Sequence, residues 1–183
     1  MTPSDADGLT TMVEEFTVRP IGHVQSQYAE PEDVPHTHMG WTADMSEIRL
    51  LPKYAGALRG MKGYSHIIVL FRVHRARDWK MPKHHHKPPG VKVFATRMPV
   101  RPNLIGMSVV ELVEFSPQTG QVVVKGLDAL DGTPVLDIKP YISNFDSYPD
   151  AQIPEWVGRH LKSHFHSGRA HSAESGRHTH GEV

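Results

Sequence analysis

Tyr64–Val73 reads YSHIIVLFRV, and seven of its ten residues are apolar. The run is too short for a typical helix and is rich in β-branched side chains. It therefore predicts a central strand buried on both faces. Upstream, Phe16–Val24 predicts a strand interrupted by Pro20, and Tyr28–Trp41, rich in proline, histidine and acids, predicts a loop. Glu47–Leu51 predicts a short strand. Pro52–Arg59 predicts one or two helical turns, with proline in an allowed first-turn position and Gly60 and Gly63 closing them. Downstream, His84–Gly90 is a loop by composition and Val91–Thr96 predicts another strand. Met107–Phe115 alternates like a half-buried strand, Ser116–Gly120 is a turn, and Gln121–Leu127 returns as its hairpin partner. Asp131–Gly132 is a turn signal before a last short strand, Pro134–Ile138. About seven strands with little helix between them imply a mainly β fold. The expected architecture is a single small closed or nearly closed β-barrel with short helices. The chain shows no internal repeat.

The 183 residues suit one domain plus tails. Apolar residues make up only 38% because both ends are polar, so the middle is richer in core formers than that average. The expected division is a disordered tail over 1–15, the barrel over 16–145, and an extension over 146–183 with a short helix at Glu155–Phe165 and a His-rich tail. There is no cysteine. That excludes disulfides, thiolate nucleophiles and Cys-ligated zinc. The N-terminus is acidic without an apolar h-region, and the longest apolar run, Ile67–Phe71, is far short of a membrane span. A cytoplasmic protein with no membrane contact is expected. Net charge is zero, yet residues 72–101 carry nine Lys or Arg and one Asp. Such a basic excess is either a solvated loop or a surface that attracts phosphate-rich partners.

The chain has no GxSxG, no HExxH, no Walker loop and no strand-linked GxGxxG. The missing glycines and helices argue against a Rossmann-type cofactor site. Three segments hold candidate chemistry. In the first, His74 and Arg75 leave the buried strand at its C-terminal end, where the histidine is either a solvated edge residue or a cleft residue. The second, Phe94–Gly106 (FATRMPVRPNLIG), sets Arg97 and Arg101 among prolines that stiffen the backbone. It is either a rigid turn with surface ion pairs or a cradle that offers forked donors to a carboxylate or phosphate. The third, Leu127–Tyr141 (LDALDGTPVLDIKPY), holds Asp128, Asp131, Asp137, Lys139 and Tyr141. Asp137 and Lys139, two apart on a strand, face the same side. They are either a surface pair or groups beside a reacting centre.

Taken together, RGMKGYSHIIVLFRVH, GVKVFATRMPVRPNLIGMSVVEL and LDALDGTPVLDIKPYI closely resemble the TsaA/TrmO-like family, over roughly residues 16–145. These are small β-barrel S-adenosylmethionine-dependent tRNA methyltransferases. The resemblance implies methylation of N6 of threonylcarbamoyladenosine 37 in tRNA. It also implies a donor pocket at the barrel, often at a homodimer contact. His74 and Arg75 would line that pocket, with Arg97 and Arg101 beside the donor and backbone near Leu104 and Ile105 touching it. Asp128, Ala129, Leu130 and Asp131 would hold its ribose or adenine end, and Asp137, Lys139 and Tyr141 are the catalytic candidates. The basic stretch would meet the tRNA backbone, and Trp79 would stack on a base.

The chain also departs from the family pattern. Val34–Met39 replaces a Pro-Arg-Gln-like segment, Leu104 stands where proline is usual, and Met98 replaces a common serine. The rival readings are methyl transfer to another RNA or a small molecule, and a non-catalytic donor-binding or metal-handling protein. His84–His86 and six further histidines from His160 to His180 could take zinc, nickel or copper. Their irregular spacing points to adventitious binding, so no metal site is expected.

Overall fold

The computed structural model describes residues 15–34, 44–76, 87–159 and 161–162. Six strands form a closed, all-antiparallel barrel: β1 (Gly22–Gln25), β2 (Met45–Leu50), β3 (His66–Arg72), β4 (Ile105–Ser116), β5 (Gln121–Lys125) and β6 (Pro134–Pro140). The order round the barrel is β1-β2-β5-β4-β3-β6. Closure comes from β1 pairing with β6, Gly22 against Val135 and His23 against Pro134. Closure gives each described strand a partner on both sides over at least part of its length, which limits exposed edges. Gly22 permits the tight β1–β2 approach, since a Cβ there would stand 2.9 Å from the Leu50 Cα.

Alternation supplies the core. Val24, Ile48, Ile67, Val69, Val110, Val122, Val124 and Val135 point inward and are at most 1% exposed. Each contributes about 1.5–3 kcal/mol through burial. The barrel ends are plugged by connections. Helix α1 (Pro52–Ala55) and the 3-10 turn Gly56–Leu58 bring buried Ala55 and Leu58 under one end. The β5–β6 connection brings Leu127 and Ala129 into the other. A short helix, α2 (Ser143–Asp146), follows β6.

Three expectations are corrected. β3 is buried on its inner face only: Ile67, Val69 and Phe71 are buried, while Ile68 and Leu70 are half-exposed. Residues 91–96 form no strand but a 3-10 turn, Val93–Ala95. The reason is local. The Thr96 hydroxyl donates to the Val93 carbonyl (2.8 Å) and Arg101 donates to the Thr96 carbonyl (2.8 Å), so these oxygens are withdrawn from any ladder. The expected strand at Phe16–Val24 begins only at Gly22, with 15–20 exposed and irregular. Most of the Val34–Met39 segment, Trp79, His84–His86 and the tail histidines lie outside the described residues.

Candidate functional site

Two groups of expected residues emerge, one at the barrel rim and one on its outer wall. The rim group gathers where β1, β3 and β5 end. His74 follows β3, and its Nδ1 lies 3.2 Å from the hydroxyl of Thr133, itself 2% exposed. Burial, then the charges of Arg75 and Arg72, hold the His74 pKa below the ordinary histidine range. Arg75 pairs with Glu30 at 2.8 Å. Asp128 accepts a hydrogen bond from the Ser108 hydroxyl, and buried Ser108 projects from the inner face of β4. Asp131 accepts from the Ser26 backbone N–H at 3.1 Å. The Ala129 carbonyl accepts from the Ser26 hydroxyl at 2.9 Å, and the Leu130 carbonyl from the Thr133 N–H at 3.2 Å.

The wall group sits on the outer face of β6, β3 and β4. In register, Asp137 stands beside Leu70 and then Met107, and Lys139 beside Ile68 and then Val109. A bulge between Leu70 and Phe71 leaves Leu136 as the extra residue of β6. It shifts the phase of the strand after the inward Val135, so Asp137 and Lys139 both turn outward. Their ion pair spans 2.7 Å. That hydrogen bond, then the Asp137 charge, raises the Lys139 pKa. Lys139 therefore stays an ammonium that donates to the Asp137 carboxylate. On the far side of the same face Arg97 donates to the Met107 carbonyl at 3.0 Å. This carbonyl belongs to the half of β4 that β5 does not reach, since β4–β5 pairing starts only at Glu111. One such bond uses one of five guanidinium donors. Between these charged borders lies an apolar floor of Ile68, Leu70, Met107 and Val109, the last two 46% and 45% exposed.

Arg101 is turned differently, its guanidinium donating to the carbonyls of Thr96 and Val93. Leu104 has φ 51° and donates its N–H to the Arg101 carbonyl at 3.2 Å. Proline supports neither feature. Ile105, 46% exposed, pairs with Arg72 and continues the apolar floor towards the rim. Tyr141 stands apart. Its N–H donates to the His66 carbonyl (3.1 Å) and its ring meets the His66 ring edge-on at 6.4 Å. His66 and Arg72 are the two ends of β3. Six residue steps of strand separate them by about 20 Å, and His74 lies beyond the Arg72 end. One copy of the chain thus brings Asp137, Lys139 and Arg97 over one face and keeps Tyr141 far from His74.

Sequence reading missed Thr133, Ser108 and Ser26, which orient His74, Asp128 and Asp131. The signal for Ser108 was available: a polar residue at an inward position of an alternating strand. A shallow cleft of about 490 Å³ beside Gln25, Met45, Glu47 and Asp131 contains only Asp131 among the expected residues. Among the described residues no group of three or more His, Asp or Glu is placed to hold a metal ion. No helix among them is long and apolar enough to cross a membrane.

The donor set suits an amphipathic nucleoside such as S-adenosylmethionine. Carboxylates at 128 and 131 can take hydroxyls or an ammonium, and the floor can take apolar surface. Residues 23–147 match the model of the tRNA-methyltransferase O N-terminal domain family. The chain is 40% identical over 134 residues to an S-adenosyl-L-methionine-binding protein of Archaeoglobus fulgidus, covering 70% of this chain and 91% of that one. It is 38% identical over 148 residues to the tRNA (adenine(37)-N6)-methyltransferase of Escherichia coli, covering 74% of this chain and 62% of the enzyme. The crystal structure of TrmO from Pseudomonas aeruginosa superposes with a TM-score of 0.67 at 36% identity, over 80% of this chain and 64% of that one. The chain thus spans less than two thirds of the length of those last two proteins.

Proposed function

Because the chain belongs to the tRNA-methyltransferase O N-terminal domain family, we propose that it is an S-adenosylmethionine-dependent methyltransferase acting on N6 of adenine 37 in tRNA, with threonylcarbamoyladenosine as the acceptor. The observation that carries the reading is the outer wall of β6, β3 and β4. There an apolar floor lies between Arg97 and the Asp137–Lys139 pair. S-adenosylmethionine, when bound, supplies an electrophilic methyl group on a sulfonium.

The chain's own residues have three tasks. Arg97, the backbone at Leu104 and Ile105, and the rim residues His74, Arg75 and Asp128–Asp131 border the donor. Arg101 acts through the turn whose carbonyls it holds. The floor excludes water, which favours a geometry with the acceptor in line. Asp137 accepts the proton released by the acceptor nitrogen, and Lys139 orients that carboxylate. Tyr141 joins the site from a second copy. In a two-fold contact over the outer wall, the lower end of one barrel meets the rim of the other, which offsets the separation within one chain. The working form is accordingly a homodimer, and its compartment is the cytoplasm. The basic stretch meets the tRNA backbone.

Titration calorimetry with S-adenosylmethionine comes first, followed by labelled-methyl transfer to total tRNA with and without the threonylcarbamoyl group. Binding with transfer only to the modified tRNA is expected. Binding with transfer to another RNA or to a small molecule moves the acceptor. Absence of binding refutes the enzyme reading.

A further inference from the structure

Phe94 is 78% exposed, although its turn is held by several hydrogen bonds. Its neighbour Val93 is 5% exposed and anchors the turn in the protein. The Val93 carbonyl accepts from the Thr96 N–H (3.0 Å), from the Thr96 hydroxyl (2.8 Å) and from Arg101 (3.5 Å). The Arg101 guanidinium also lies 6.0 Å from the centroid of the Phe94 ring, backing one face of it. The ring is therefore presented rather than loosely hung. A large aromatic held out in water is unfavourable unless something covers it.

The surroundings point to the kind of cover. From Trp79 to Val110 the chain contains no Asp or Glu, while Lys87, Lys92, Arg97 and Arg101 lie on its described part. Lys92 and Arg97 are exposed on either side of the 93–95 turn. A single outward ring flanked by cations complements a strand of alternating bases and phosphates. Bases stack on aromatic faces, and Lys or Arg meet the backbone.

We propose that Phe94, backed by Arg101 and flanked by Lys92 and Arg97, is a stacking platform for an unpaired base of the RNA substrate. This deepens the tRNA reading above and rests on it. The ring supplies the stacking contact, which tolerates any base, and the cations supply the salt-dependent contact with the phosphates.

The test uses the full chain and its Phe94→Ala, Phe94→Leu and Phe94→Trp variants. Fluorescence anisotropy reads binding to total tRNA and to an unstructured RNA oligonucleotide, calorimetry reads S-adenosylmethionine, and sedimentation reads oligomeric state. Removing the ring (Ala or Leu) weakens RNA binding roughly tenfold, as loss of one base stack does, and Trp restores it. Donor affinity, oligomeric state and the salt slope stay as in the wild type. A Leu variant that binds RNA like the wild type overturns the proposal, because it keeps apolar bulk and loses only stacking. A fall in donor affinity, or a change of oligomeric state with RNA affinity intact, overturns it too, in favour of a donor-side or inter-copy role. These failures leave the wild-type methyl transfer standing. If the wild type binds no RNA, the tRNA reading itself falls.

Discussion

Asp137 and Lys139 face outward together because of the extra residue at Leu136, and they form a 2.7 Å ion pair. The pair is exposed, so its contribution to stability is small. The proposed function gives it a chemical role instead. Asp137→Asn keeps the shape and removes the proposed proton acceptor. Single-turnover transfer is expected to fall roughly 100-fold, while calorimetric donor affinity changes little. An unchanged transfer rate would remove Asp137 from the catalytic group. At the rim, burial and two arginines keep the His74 pKa low in the folded chain. The unfolded chain therefore binds this proton more readily, and stability is lost as pH falls through the unfolded value near ~6.5. Thermal unfolding of the wild type and His74→Gln should show the same trend above about pH 6.5. Below it the wild type should lose more stability than the variant. Parallel curves throughout would mean that His74 titrates as in the unfolded chain.

At the scale of elements, β4 is the longest of the described strands; its second half pairs with β5, and only Glu111 is paired to both neighbours. The first half, from Ile105, pairs with β3 alone, and its other edge is served by Arg97. The Phe71 ring crosses from β3 over Gly106, where an added Cβ would come within 2.8 Å of the Phe71 Cδ2. Gly106→Ala therefore forces a core ring to move. The expected cost is about 1–3 kcal/mol by denaturant unfolding, with a fall in donor affinity because the adjoining floor shifts. Full stability in that variant would show that Phe71 repacks freely. The motif segment from Phe94 to Gly106 was legible as stiff and as cationic. Its turn was not, because Val91–Thr96 reads as a strand and only the contacts of Thr96 and Arg101 reveal otherwise.

For the whole molecule, closure at β1–β6 makes every inner face a core and leaves every outer face to solvent or a partner. The outer wall carries Met107 and Val109 nearly half exposed, next to Ile68 and Leu70. The proposed homodimer covers this wall. Met107→Glu with Val109→Glu should convert a dimer to a monomer in sedimentation and abolish transfer, with the monomer still folded by circular dichroism. Retention of the dimer would put the contact elsewhere.

The sequence alone determined that the chain is mainly β, where most strands and turns lie, and which residues are chemically capable. Period-two alternation and Gly, Pro and Asp-Gly breaks are local properties, and the three motif segments are contiguous. Tertiary structure decided the strand order, the one-residue bulge that aims Asp137 and Lys139, and the partners of His74, Asp128 and Asp131. It also decided that Tyr141 and His74 lie at opposite ends of β3. An alternating pattern says which face of a strand is apolar, but not which strand lies beside it. A bulge at Leu136 costs no special residue, so only pairing with β3 exposes it.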